Sequence, residues 1–133
     1  MHRFVDGHLT PARYRAKPRP VVYNSWEATM FDFTERKLLG FAKTASSLGM
    51  ELFVLDDGWF TERDDDTGGL GNYQVDRRKL PHGLDGLASK LRGVGMDFGL
   101  WFEPEMVCER SDLYRAHPDW ILATPDASPR PDA

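Results

Sequence analysis

Three short apolar segments, separated by two amphipathic stretches, constrain the fold of this 133-residue chain more than any other feature. The segments are "VVYNSW" (residues 21–26), "ELFVLDD" (51–57) and "MDFGLWF" (96–102). The first is β-branched and aromatic and apolar on both faces, as in a strand covered from two sides; the second is a buried run and the third repeats the strand signal. Between the first two, Leu38, Phe41, Ala42, Ala45 and Leu48 recur at helical spacing up to Gly49, and Asp32 with Glu35 predicts a capping box at the start. Between the second and third, Leu84, Leu87, Leu91 and Val94 form another such stripe, again closed by glycine. The order strand, helix, strand, helix, strand predicts parallel strands joined by right-handed crossovers. An open doubly wound sheet and a closed barrel both satisfy it.

In either architecture the C-terminal ends of parallel strands share one edge, where function collects. Asn24, Ser25, Trp26 and Glu27 stand at the first of these ends, Asp56 and Asp57 at the second, and Trp101, Glu103 and Glu105 at the third. Carboxylates accept hydrogen bonds from vicinal hydroxyls, and an indole face covers the C–H patches of a pyranose ring. That composition suits a sugar site. No glycine-rich phosphate loop follows the first strand, where "NSWEATMFD" stands instead, which favours a barrel over a nucleotide-binding sheet.

The rest of the chain carries weaker signals. Residues 1–19 mix charges with prolines without a sustained period and read as a linker preceding the folded portion, residues 20–133. The stretch "TERDDDTGGLGNYQVDRRKLPHG" reads as a solvated loop, because Asp64, Asp65 and Asp66 lack the alternating ligand spacing of a calcium loop. A net charge of -4 from interspersed acids and bases leaves no basic field for nucleic acid and no polybasic patch for a membrane, so neither partner is expected. The single cysteine, Cys108, reads as an incidental thiol, and His117 as structural. No apolar run approaches the roughly 20 residues of a membrane span, and the expected location is cytoplasmic.

Taken together, "VVYNSWEA", "LFVLDDGWF" and "GLWFEPEMV" followed by "DLYRAHPDW" resemble the opening strands of the catalytic barrel of α-galactosidases in glycoside hydrolase family thirty-six. The resemblance runs from about Pro18 to Leu122 and implies an α/β fold, a partial (β/α)8 TIM barrel of about three βα units. It implies a retaining hydrolase that removes terminal α-linked galactose from oligosaccharides such as melibiose and raffinose, with no cofactor. Asp56 and Asp57 match carboxylates that bind the galactose hydroxyls distant from the scissile bond, and Trp101 matches the tryptophan lining that subsite. Trp26, Glu27 and Trp59 would pack or shape the pocket, while Glu103 and Glu105 lie near it without an assigned role. The expected partner is an α-galactoside oligosaccharide, and a homo-oligomer is a state left open to the intact enzyme.

A retaining glycosidase needs two carboxyl groups about 5 to 5.5 Å apart across the anomeric carbon. In the family both are aspartates on later strands, the nucleophile within a Lys-Trp-Asp type motif that this sequence lacks. The nucleophile and acid/base are therefore expected beyond residue 133, and the chain is expected to be a fragment, inactive alone. Two other readings stay open. One is a metal-dependent barrel enzyme in which Asp56 or Asp57, with Glu103 or Glu105, holds Mg²⁺. The other is a non-catalytic sugar-binding module.

Overall fold

The structure, a computed structural model, describes residues 2–122. Assignment of residues 123–133 to the folded portion lies outside the described residues. In chain order the elements are α1 (His2–Phe4), a π-helical turn (Val5–Leu9), α2 (Ala12–Arg15), β1 (Val22–Asn24), α3 (Trp26–Thr29), α4 (Glu35–Ser47), β2 (Leu52–Leu55), α5 (Gly83–Gly93), β3 (Asp97–Leu100), α6 (Asp112–Ala116) and a 3-10 turn (Pro118–Trp120). None of the elements before β1 buries a residue. No helix among the described residues is long and apolar enough to cross a membrane.

The strands pair in parallel in the order β1-β2-β3, as the alternation of segments predicts. The register aligns Tyr23 with Phe53 and Phe53 with Phe98, and, one residue on, Asn24 with Val54 and Val54 with Gly99. Side chains alternate across a sheet, so these two rows lie on opposite faces. Phe53 and Leu55 are fully buried in one cluster with Leu38, Ala42 and Ala45 of α4 and Leu87 and Leu91 of α5, and Tyr23 and Phe98 pack against it. Burying each large apolar side chain contributes about 1.5–3 kcal/mol, and this face supplies the main core.

The second face departs from expectation. Val22 is 47% exposed, and Leu52 and Val54 are only half-buried. Coverage on both sides is therefore not met among the described residues, because both helices pack on the Tyr23–Phe53–Phe98 side and nothing described packs on the other. A Cβ added at Gly99 would lie 3.1 Å from Val54 and 3.6 Å from Leu52, so these two side chains lean over the bare backbone of β3 on the uncovered face.

The helix starts also differ. α4 is capped by Thr34, in an extended conformation, whose hydroxyl accepts from the Lys37 backbone N–H at 3.3 Å. The predicted capping box from Asp32 is not formed. Asp32 instead lies 3.5 Å from the Lys37 ammonium, and Glu35 turns inward, almost fully buried. There its carboxylate accepts from the His82 backbone N–H at 3.3 Å and from Lys90, tying the first turn of α4 to the start of α5, which has no cap of its own. Burial alone would raise the Glu35 pKa, but hydrogen bonds from Lys90 and His82 outweigh it and hold the carboxyl below its ordinary range.

The segment between β2 and α5 is more ordered than a solvated loop. Phe60 and Val75 form an antiparallel bridge, Leu70 and Leu80 are buried, and so are Arg63 and Asp76. Arg78 forms a fork on Asp76 and also reaches Asp64, which Lys79 approaches at 3.0 Å. Burial pushes the Asp76 carboxyl up, but the Arg78 hydrogen bonds leave it lowered overall.

Candidate functional site

The adjacent carboxylates of "LDDGWF" leave β2 toward opposite faces. Asp56 follows Val54 by two residues and emerges on the uncovered face, half-buried. Its backbone N–H donates to the Ser25 hydroxyl at 3.0 Å, and its carboxylate accepts from the Asn24 amide. The Asn24 side-chain Oδ1 in turn accepts from the Trp26 backbone N–H at 2.8 Å. The end of β1 thus fixes the Asp56 carboxylate while leaving it accessible. Trp101, two residues beyond Gly99, is half-buried; its N–H donates to the Leu55 carbonyl at 2.8 Å. Asn24, Asp56 and Trp101 therefore stand at consecutive strand ends, Trp101 one residue past β3 and packed in part against the core cluster.

Asp57 turns to the covered side and is 6% exposed. Arg63 Nε donates to both of its oxygens at 3.0 Å and Nη2 donates to Oδ2 at 2.7 Å, while the Gly58 N–H donates to Oδ1 at 2.7 Å. Arg63 Nη1 donates to the Gly68 carbonyl at 2.8 Å. Burial lowers the Arg63 pKa and the Asp57 carboxylate raises it, with a net rise that keeps the guanidinium charged. Read from sequence, Asp56 and Asp57 share one role, whereas their surroundings are unlike: one carboxylate is half-buried and held by an amide, the other sits inside a buried ion pair.

Gly58 makes this divergence possible. Its φ of +94° is a conformation side chains disfavour, and a Cβ there would stand 3.2 Å from both Phe31 and Phe33. Past it, Trp59 is buried, and its indole N–H donates to the Trp101 carbonyl at 3.0 Å. Tyr73 stacks on Phe102, with ring centroids 4.0 Å apart, and its hydroxyl donates to the Glu103 carbonyl. Burial first, and then the Glu103 and Asp57 carboxylates, push the Tyr73 pKa up to about 12, so the phenol stays a neutral donor. Trp26 packs edge-on against Phe31 and is half-buried, Glu27 and Glu105 are exposed, and Glu103 is half-buried.

Among the described residues no three His, Cys, Asp or Glu side chains converge as a metal site. Asp57, one of the carboxylates considered for Mg²⁺, is already engaged by Arg63. Asn24 stood among the strand-end residues read from sequence, but its hold on Asp56 was not foreseen, and Arg63 and Tyr73 were missed altogether. Alternating Asp and Arg or Lys, with Leu70, Tyr73, Val75 and Leu80 among them, was the available signal that this loop folds on itself.

The described residues form a small α/β unit, a three-stranded parallel sheet with a carboxylate and an indole at neighbouring strand ends. Compared with known families, residues 1–131 match Melibiase, and the chain belongs to that family. It is 54% identical over 125 residues to the α-galactosidase AgaA of Geobacillus stearothermophilus, covering 94% of this chain and 17% of that protein. It is 45% identical over 130 residues to α-galactosidase 1 of Pediococcus pentosaceus, covering 98% of this chain and 18% of that one. The chain thus spans less than a fifth of the length of these curated relatives. The crystal structure of the family thirty-six α-galactosidase AgaB from Geobacillus stearothermophilus superposes with a TM-score of 0.87 at 55% identity, over 95% of this chain and 17% of that one. The AgaA structure in complex with raffinose gives 0.87 at 52% identity, over 95% and 18%. The family inferred from the strand-end motifs is the one the comparisons find.

Proposed function

We propose that this chain forms the first three βα units of the (β/α)8 catalytic barrel of a retaining α-galactosidase acting on oligosaccharides such as melibiose and raffinose. The observation that carries the reading is the placement of Asn24, Asp56 and Trp101 at consecutive strand ends, with the Asp56 carboxylate held by Asn24 and still accessible. Similarity to α-galactosidases, one solved with raffinose and one with stachyose, supports the substrate class. In this reading Asp56 accepts hydrogen bonds from galactose hydroxyls remote from the scissile bond and Trp101 packs on the ring. Binding energy far from the bond then positions the anomeric carbon for attack. Asp57 contributes through its ion pair with Arg63, which fixes the turn that presents Asp56.

The adjacent carboxylates do not act as nucleophile and acid/base, since Arg63 occupies one of them and they leave the strand toward opposite faces. The 133-residue chain alone is accordingly proposed to be inactive. The test is kcat/KM on an α-galactoside in the full-length enzyme carrying this segment. The Asp56→Ala variant should lose tenfold or more, from charge-assisted hydrogen bonds of about 1.5–3 kcal/mol. Unchanged kcat/KM would refute the assignment.

A further inference from the structure

The stretch just beyond β3 lies outside the regular ladder, yet it carries Trp101. A backbone carbonyl away from a ladder needs another donor or water. Here two side chains of the preceding loop supply it. The Trp59 indole N–H donates to the Trp101 carbonyl at 3.0 Å, and the Tyr73 hydroxyl donates to the Glu103 carbonyl. On the other side the Trp101 N–H donates to the Leu55 carbonyl at 2.8 Å, so this segment is held to the β2 side at three points. The two donors are themselves fixed by packing. Trp59 meets Phe60 edge to face with centroids 5.1 Å apart, and Tyr73 lies 4.9 Å from Phe60 and 4.0 Å from Phe102. Tyr73 does this from a φ of +34°, a region unusual for an aromatic residue, which sets its backbone apart from an ordinary turn position.

We propose that Trp59 and Tyr73 are positioning residues that clamp the exit of β3 and thereby hold the Trp101 indole at the mouth of the sugar pocket. Neither touches the sugar. The direction of a side chain follows from its backbone, so a main chain fixed on both sides of the Trp101 Cα fixes where the indole plane stands. The inference rests on the reading of Trp101 as the surface on which galactose packs. It adds that the loop after β2 is part of the binding apparatus through its hydrogen bonds to the neighbouring strand exit.

The test uses the full-length enzyme and three variants, Tyr73→Phe, Trp59→Phe and Trp101→Ala. Two readouts are taken: amide hydrogen exchange of residues 101–105, and kcat and KM on an α-galactoside. Tyr73→Phe removes one hydroxyl and keeps the ring stack. It should speed exchange in residues 101–105 about tenfold while β2 stays protected, because opening there is local. KM should rise about fivefold with kcat within about twofold, the signature of lost binding common to ground and transition states. Trp59→Phe should act in the same direction, and it serves alone if the tyrosine variant does not fold. Unchanged exchange in both variants overturns the clamp whatever the kinetics. Faster exchange with unchanged KM, when Trp101→Ala raises KM, overturns the positioning role. If Trp101→Ala itself leaves KM unchanged, the sugar-platform reading fails, and faster exchange would then support the tether without a catalytic consequence.

Discussion

The two faces of the three-stranded sheet are built from the same strands and differ in almost every respect. Tyr23, Phe53, Leu55 and Phe98 sit against α4 and α5, where Phe53 and Leu55 have no solvent contact. Val22, Leu52, Val54 and Gly99 form the opposite surface, half-buried or exposed, and at its C-terminal rim stand Asn24, Asp56 and Trp101. One face holds the fold together while the other carries the residues proposed to bind sugar. A single-residue alternation along each strand is enough to separate them.

The largest effect on stability is expected from Phe53→Ala. On the covered face it should cost about 3–5 kcal/mol and move the midpoint of urea unfolding strongly downward. A small shift would mean that the helices do not depend on that face. Next comes Arg63→Met, which leaves the Asp57 carboxylate buried without its partner and should cost about 3 kcal/mol in the same assay. Restoring neutrality with Asp57→Asn in that background should recover part of the loss. On the open rim the ordering inverts: Asp56→Ala should leave unfolding within about 1 kcal/mol of the parent while lowering kcat/KM tenfold or more, as proposed above.

A milder contrast lies in acid. Glu35 and Asp76 are both held below their ordinary carboxyl range. A carboxylate with a depressed folded pKa adds stability above its unfolded value, about 4, and gives that stability up as pH falls through the folded value. Stability should therefore drop below about pH 4, and Glu35→Gln should flatten that drop in an acid titration followed by circular dichroism. An unaltered slope would assign the acid sensitivity to the other depressed carboxyls, Asp76, Asp64 and Asp65. The smallest effect is expected for Val22→Thr on the uncovered face, within about 0.5 kcal/mol.

The strand and helix order was legible because apolar periodicities of two kinds, interrupted by glycine, leave few alternatives. Which face of each strand would be covered was not, since an apolar residue such as Val22 reads the same whether or not an element packs on it. The capping residue was off by two positions: Thr34 and Asp32 are both good caps, and only the extended Thr34 backbone decides between them. Asp56 and Trp101 could be placed at strand ends from their motifs. The split between Asp56 and Asp57 could not, because the partner that buries Asp57 lies in a loop whose acidic, glycine-rich composition suggested solvent. Local patterns report which elements form; long-range pairs such as Tyr73 with Glu103 appear only once the loop is folded.

Gly58 has a further consequence when position tolerance is considered across a saturation library. Any side chain there must adopt φ of +94° and displace Phe31 and Phe33, each 3.2 Å from its first carbon. Three neighbouring codons should therefore give three different survival profiles. Substitutions at Asp56 would pass a selection for soluble protein and fail one for growth on an α-galactoside. Those at Asp57 would be depleted in both, though less severely where a neutral amide is introduced. At Gly58 the first selection alone would remove nearly everything, so a screen that reads only growth would record three equally essential residues and lose the distinction between holding the sugar and holding the turn.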